Sequence, residues 1–446
     1  MYPSPLTERG RGRGYFPGNN KLNPLQTAIV PNTLPMLYSE QGNIMSLDLE
    51  QVALPIQELA QQLKLEEKEI SQRLSRAVEV ASALDQQEMT ALQQRIEASR
   101  GRVRWPAAGL LDTICHTYPL PSLPQNFTVM AVDGSHIEID RHRVVQCYLI
   151  NLGQVSLHYG EQSYAALSNK PFLYWKDKDI AIEETPGDDE ETVGVELLSA
   201  RCSVEECRLL AKMIEELSEK EPVTALLDGS LILWGIGGQS PSVRQSLLQK
   251  GLIPALDKVR SIASQRQVAL ASYISSPRST DVINAIRISL CKYDVPDCSQ
   301  YCFTKEAIQE CQAVGGLSDK ELFGRLLSPG DRSPLFLSPA SIVRKYYGEH
   351  QVAFFYLNVG AEIARVEMPC WIAEQPLLIE LAHALTYDQC QRGLGYPVAL
   401  SEAHQQAVVT SADRDNFWRL VERSLVDASL QGQDSAKSRS KLTRWL

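Results

Sequence analysis

The chain has 446 residues, 44% hydrophobic and 22% charged, which places it among ordinary globular proteins and, at about 150 residues per unit, predicts two or three units. A formal net charge of −10 excludes a molecule coated in basic surface, although a local basic groove for nucleic acid stays open. No run approaches the ~18 apolar residues of a membrane span, and the opening MYPSPLTERGRGRGYFPGNN has no apolar signal core; a soluble cytoplasmic protein that crosses no membrane is expected.

Residues 1–45 are rich in Pro, Gly and Asn and carry the basic GRGRG, which reads as a flexible arm. Residues 46–104 change character to Leu, Ala, Glu, Gln and Lys, all good helix formers. Leu59, Leu63, Leu65, Ile70, Leu74, Val78, Val80 and Leu84 recur at three to four residues, predicting a helical hairpin or short coiled coil interrupted near Pro55. Such a region serves dimerisation or partner docking, or packs on its own core.

After a proline-rich linker, FTVMAVDGSHIEI begins at Phe127, and VTALLDGSLILW repeats its pattern from Val223. Each apolar run reads as a buried strand, delivering Asp133-Gly134-Ser135 and Asp228-Gly229-Ser230 at its end. The glycine allows a turn or a close approach. Two aspartates at the rim of a sheet are hard oxygen ligands suited to Mg²⁺ or Mn²⁺; the structural alternative is that each caps the next turn.

Between them lie meandering strands in VVQCYLINLGQVSLHYG and KPFLYWKD, an acidic loop Glu183–Glu191, and an amphipathic helix 203–220 with Ser203 as its expected N-cap. Leu209, Leu210, Met213, Ile214 and Leu217 form the apolar stripe of that helix. Glu206 falls in line with the stripe and Glu205 just outside it. A carboxylate aimed at a core is costly unless paired or metal-bound, so Glu206 is the third acidic candidate and Glu205 the alternate register.

Beyond the second repeat come a helix near 243–260 and the strand QVALASYISSP. This β-helix-β order argues for an α/β layer. Residues 288–345 read as an insertion or lid. They hold four of the ten cysteines, Cys291, Cys298, Cys302 and Cys311, whose spacings match neither paired CxxC motifs nor a common ferredoxin pattern. Reduced thiols are the first reading there and a metal site the alternative. Strands at VAFFYL and EIARVEM, a helix from Pro376, a helix near Ser401 carrying His404, and a last helix 415–426 follow, before a polar tail at 429–446. His136 beside the first repeat is a weaker candidate, and His383 reads as a packed core histidine.

AVDGS at 131–135, the 201–206 helix segment, LLDGSL at 226–231, ARVEMP at 364–369 and GYPVALSEAH at 395–404 resemble, in this order, the NurA family of DNA-repair nucleases. The resemblance covers roughly 127–420, within a nuclease domain drawn at 125–428. It implies an α/β fold, an RNase H-like mixed sheet flanked by helices, here with an N-terminal helical region. It also implies Mn²⁺-dependent (or Mg²⁺-dependent) cleavage of DNA, both single-stranded and at duplex ends, by 5′-to-3′ exonuclease and single-strand endonuclease activity. A hexameric HerA-type ATPase is the implied partner, in DNA end resection, and a homodimer is expected. Asp133 and Asp228 match the metal-binding aspartates, Glu206 (or Glu205) the helical glutamate and His404 the histidine after GYP. Tyr356 and Glu367 lie in matching segments with no role assigned. The competing reading is a non-catalytic adaptor that keeps the fold and regulates a DNA translocase.

Overall fold

The computed structural model describes residues 50–140, 143, 145–176, 181–182, 191–192, 195–218, 220–302 and 309–428. The predicted arm at 1–45, most of the acidic loop and the tail at 429–446 lie outside them. The chain divides into two compact units, Met1–Gln62 and Leu63–Leu446. In the first, the described residues belong to helix α1 (Glu50–Ala83), where Val52, Leu54, Ile56 and Leu59 are exposed. Pro55 does not interrupt α1, contrary to the expectation. It lies near the helix start on an exposed stretch, where the missing N–H removes one ladder bond and the ring has few neighbours to displace.

In the second unit, Asp85 breaks the helix and starts the next, α2 (Gln86–Ser99). Its carboxylate accepts from the amides of Gln87 and Glu88 at 2.8 and 2.9 Å, and Glu88 returns a bond to the Asp85 amide, satisfying donors a helix start leaves free. Leu74, Ala77 and Ala81 of α1 and Met89, Leu92 and Ile96 of α2 are buried, whereas Leu63 and Leu65 stay exposed.

Nine strands form one mixed sheet: β1 (Gly109–Leu110), β2 (Phe127–Ile137), β3 (Tyr148–Tyr159), β4 (Tyr164–Tyr174), β5 (Val223–Asp228), β6 (Val268–Ile274), β7 (Phe336–Leu337), β8 (Val352–Asn358) and β9 (Ile363–Pro369), in the order β1-β7-β8-β9-β6-β5-β2-β3-β4. The central pairs β2–β5 and β5–β6 are parallel and the others antiparallel. The parallel strands read as continuous apolar runs because they are covered on both faces. Along the chain the further helices of eight or more residues are α3 (Val195–Glu216), α4 (241–263, with a π-helical stretch at Gln245–Leu252), α5 (Asp281–Ser289), α6 (Asp319–Leu326), α7 (Pro376–Arg392), α8 (Val398–Ala407) and α9 (Ser411–Asp427).

Helices α3, α4, α7 and α8 pack on the central strands and build the larger core with them. A second core joins α1, α2, α5 and α6 to Phe336, Phe354 and Tyr356. The stretch 288–345 therefore contributes α6 and β7 to this second core and to the sheet. Thus the mixed α/β sheet flanked by helices and the N-terminal helical region are both present. Among the described residues, no helix is long and apolar enough to cross a membrane.

Two expectations about element ends are corrected. Ser203 is not an N-cap: α3 begins at Val195, and Ser203 Oγ donates back to the Ser199 carbonyl. Leu197, Leu198 and Cys202 are buried, so packing extends the helix through the segment that its serine seemed to open. Likewise, the first Asp-Gly-Ser does not end its strand. β2 continues to Ile137 because β3 pairs with it throughout, from Phe127↔Tyr159 to Ile137↔Leu149.

Candidate active site

The two aspartates are brought together by sheet register. β2 and β5 pair in parallel up to Val132↔Leu227, and Asp133 and Asp228 are the next residues on each strand. Beyond them the strands part: β2 goes on with β3, and β5 stops at Asp228. Asp133 is thus inside a strand and yet at the rim of the parallel layer, where a side chain can face solvent on a rigid backbone.

The glycines and serines of the two repeats then do different work. Gly229 has φ +77 with open space around it, so it serves the left-handed turn that ends β5. Gly134 is a packing glycine. A Cβ there would collide with Cys202 Sγ and stand 2.7 Å from Glu206 Oε1, so its bare backbone is what lets α3 seat Glu206 against β2. Gly134→Ala is expected to cost about 1–3 kcal/mol by overpacking, read as a lower urea midpoint; a midpoint equal to the wild type would show that α3 retreats freely.

Ser135 Oγ donates to the Ala407 carbonyl, and Asn151 Nδ2 donates to the carbonyls of Gln406 and Ala407 at 3.2 and 2.9 Å. These bonds tie the C-terminal end of α8 to β2 and β3. Gly153 lets the helix lie flat, since a Cβ there would strike the Ala403 carbonyl. So held, α8 presents His404, whose Nδ1 lies 2.7 Å from Asp133 Oδ2. His404 is 63% exposed and Asp133 16%, which leaves the site open on the histidine side.

Ser230 Oγ, in contrast, donates to Glu367 Oε2 at 2.7 Å, and the Leu231 amide donates to the same oxygen at 3.1 Å. Glu367 is buried and paired with Arg365 Nε at 2.9 Å; Arg365 also reaches Asp281 at 2.8 Å and stacks 3.5 Å from the Phe354 ring centroid. Burial opposes the Arg365 charge, but Glu367, Tyr356 and Asp281 together outweigh it and its pKa rises. Glu367 and Arg365 therefore anchor the turn behind Asp228. Tyr356 belongs to the adjoining network, donating to Asp319 Oδ2 at 2.7 Å, while Asp319 caps α5 through the amides of Val282 and Ile283.

Glu206 is partly accessible but densely surrounded. Burial first, then the charges of Asp133 and Asp228, push its pKa up to about 8. Asp228 is also raised, by burial above all and by Asp133, against lowering bonds from Tyr396 and the Gly229 amide and the nearby His404. Although Asp228 lies at an exposed strand tip, the groups crowding one side of it set this direction. Glu205 points elsewhere and pairs with Arg208 Nη1 at 2.6 Å. The charges acting on His136 are Glu138 and Arg414, and burial lowers its pKa. His383 is fully buried, its Nε2 2.7 Å from the Gly330 carbonyl.

Tyr396 is the group that reading by strands and helices passed over. Its hydroxyl bonds Asp228, and its ring meets Tyr273 edge-on at 5.5 Å between centroids. Burial and the Asp228 charge raise its pKa. Its only signal in the sequence is the GYP segment preceding α8.

Asp133, Asp228, Glu206 and His404 therefore gather from four separated segments. As a donor set, three carboxylates and an imidazole fit Mn²⁺ or Mg²⁺. Their mutual repulsion, visible in the raised Glu206, is the penalty that a divalent cation would remove. Among the described residues, no three His, Cys, Asp or Glu side chains already stand as ligands of one ion; His404 is bonded to one Asp133 oxygen and Tyr396 to Asp228.

The family model for the NurA domain matches residues 127–409. No curated protein matches the chain. Among solved structures, it is similar to LC9-RNase H1, described as a type 1 RNase H with the type 2 active-site motif. That likeness has 8% identity and a TM-score of 0.20, covering 37% of this chain and 71% of the other. The NurA match spans more than half of the chain and every group gathered at the site, and the chain belongs to the NurA family of nucleases.

Proposed function

We propose that the chain is a divalent-metal-dependent DNA nuclease that prefers Mn²⁺ over Mg²⁺. It acts as a 5′-to-3′ exonuclease and single-strand endonuclease, in DNA end resection with a hexameric HerA-type ATPase. The observation that carries the metal-dependent reading is the convergence of Asp133, Asp228 and Glu206 around a pKa of Glu206 raised to about 8. The imidazole of His404 in the donor set favours Mn²⁺, since nitrogen ligands suit it better than Mg²⁺. Cleavage polarity and the ATPase partner rest on the family resemblance.

A bound divalent ion supplies a Lewis acid and a water of lowered pKa. Asp133, Asp228 and Glu206 are the residues that would hold it. His404 keeps Nδ1 on Asp133 and would join these carboxylates as a nitrogen donor to the ion through Nε2. Tyr396 holds the Asp228 carboxylate in one orientation, and the Glu367 bonds fix the turn behind it. The exposed edge strand β4, with Tyr164, Leu167 and Leu173 open to solvent, is consistent with a homodimer, because an uncovered edge invites pairing. A chain of net charge −10 binds DNA in a salt-sensitive way, so a translocase would supply processivity.

The test is cleavage of end-labelled single-stranded and duplex DNA in Mn²⁺, Mg²⁺ or EDTA. Degradation in Mn²⁺, weaker in Mg²⁺ and absent in EDTA, is expected. A folded chain that cleaves nothing in any metal, alone or with a HerA-type ATPase, would leave the adaptor reading standing.

A further inference from the structure

A second constellation lies apart from the acidic site. Cys291 follows α5, Cys298 opens the short helix Cys298–Tyr301, Cys302 follows one turn later, and Cys311 lies in the 3-10 turn Glu310–Val314. All four line one cavity of about 220 Å³, with Val103, Trp105 and Arg287 on its wall. None of the site acids lines it.

Burial raises the pKa of the Cys298 and Cys311 thiols, but two groups beside the sulfurs oppose it. The Arg104 amide donates to the Cys298 sulfur, and the Cys302 thiol lies within hydrogen-bond reach of it, both cysteines being free thiols. Arg287 bonds the Cys311 carbonyl at 3.3 Å and lies 4.1 Å from the Trp105 ring centroid, a cation at the cavity wall. The backbone is also braced from outside: Arg95 of α2 donates to the carbonyls of Cys291 and Tyr293 at 2.6 and 2.9 Å. Yet the segment has little apolar burial of its own. Within residues 291–302 only Pro296 is buried, and the short helix buries nothing. A segment with so few apolar anchors gains most from a metal cross-link.

The size of the cavity selects the ligand. One zinc ion, with Zn–S near 2.3 Å, would draw its thiolates to within about 3.8 Å of each other. Among the described residues, no three cysteines are so arranged. Instead all four line one space of about 220 Å³, enough for an inorganic core. We propose that Cys291, Cys298, Cys302 and Cys311 ligate an iron–sulfur cluster of the [4Fe–4S] kind, with one thiolate on each iron. Amide donation to Cys298 and the Arg287 charge offset the negative charge of such a cluster.

The full chain, produced with ample iron and purified without oxygen, is expected to be brown and to carry about four iron and four acid-labile sulfide per chain. Cys298→Ser and Cys302→Ser should lose most of both, while Cys370→Ser keeps them. If the serine variants fail to fold, the wild-type iron and sulfide content, with the electron paramagnetic resonance signal after reduction, decides the matter. One zinc per chain without sulfide would overturn the proposal. So would a metal-free chain whose four thiols all alkylate in the native state, a Cys298–Cys302 disulfide, or folded serine variants that retain the iron.

Discussion

Asp228→Ala is expected to lower DNA cleavage in saturating Mn²⁺ by at least about a thousand-fold, about 4 kcal/mol of barrier, and to leave the chain folded. The two halves of that expectation have separate causes. Asp228 ends β5 with an exposed side chain whose bonds are to the Gly229 amide and Tyr396, so its removal opens no apolar cavity. It also relieves Glu206 of one neighbouring charge, so the melting temperature in EDTA should stay level or rise. Activity falls because one of three carboxylates disposed for the cation is gone. Asp133→Ala should act alike, with the added loss of the His404 partner. Glu205→Ala is the control: its bond is a local i,i+3 pair with an exposed Arg208, worth little, and cleavage should stay within about twofold of wild type. End-labelled cleavage and circular-dichroism melting test all three. Asp228→Ala retaining a tenth of wild-type cleavage would remove the aspartate from the reaction.

Why some of this was legible in the sequence and some was not follows from which interactions are local. The apolar runs at 127–132 and 223–227 announce strands because both faces are covered, and the helical period of α3 puts Glu206 rather than Glu205 in line with its apolar stripe. Where a strand stops is another matter. β2 runs on past Asp133 because β3 continues to pair with it, and that partner's length is not encoded in β2. The start of α3 is set by the burial of Leu197 and Leu198 against the sheet, which overrides the capping preference of Ser203. The contact of Tyr396 with Asp228 joins residues far apart in the chain, and no periodicity points to it. Glu367 is legible only as an acidic residue in an apolar strand; that it holds Ser230 and Leu231, and is itself held by Arg365, needs the sheet to be assembled. Gly134 looks like Gly229 in the sequence, yet one is required by a neighbouring helix and the other by its own backbone.

Without metal, the stability of the chain is expected to fall as pH rises from about 5 to about 8, and Glu206→Gln is expected to remove much of that fall. Glu206 goes from an ordinary 4.5 up to about 8 in the folded chain, by burial and by the charges of Asp133 and Asp228. Its folded pKa is raised, so its contribution is fully present below the unfolded value and is lost as pH climbs toward the folded one. In that window the unfolded chain has released the proton and the native chain still holds it. Each pH unit then costs about 1.4 kcal/mol, which over the window amounts to a few kcal/mol, on the order of a sizeable part of a domain's stability. Asp319, raised to about 7 chiefly by burial and by Asp281, tilts the profile the same way but belongs to both proteins, so the difference between wild type and Glu206→Gln isolates the site. A divalent cation should reverse the trend by taking the place of the proton: Mn²⁺ stabilises wild type more near pH 8 than near pH 6, and Glu206→Gln gains much less. Urea denaturation across this range, with EDTA and with Mn²⁺, reads both effects. Parallel pH profiles for the two proteins in EDTA would mean that Glu206 ionises normally and does not share the crowding of the two aspartates.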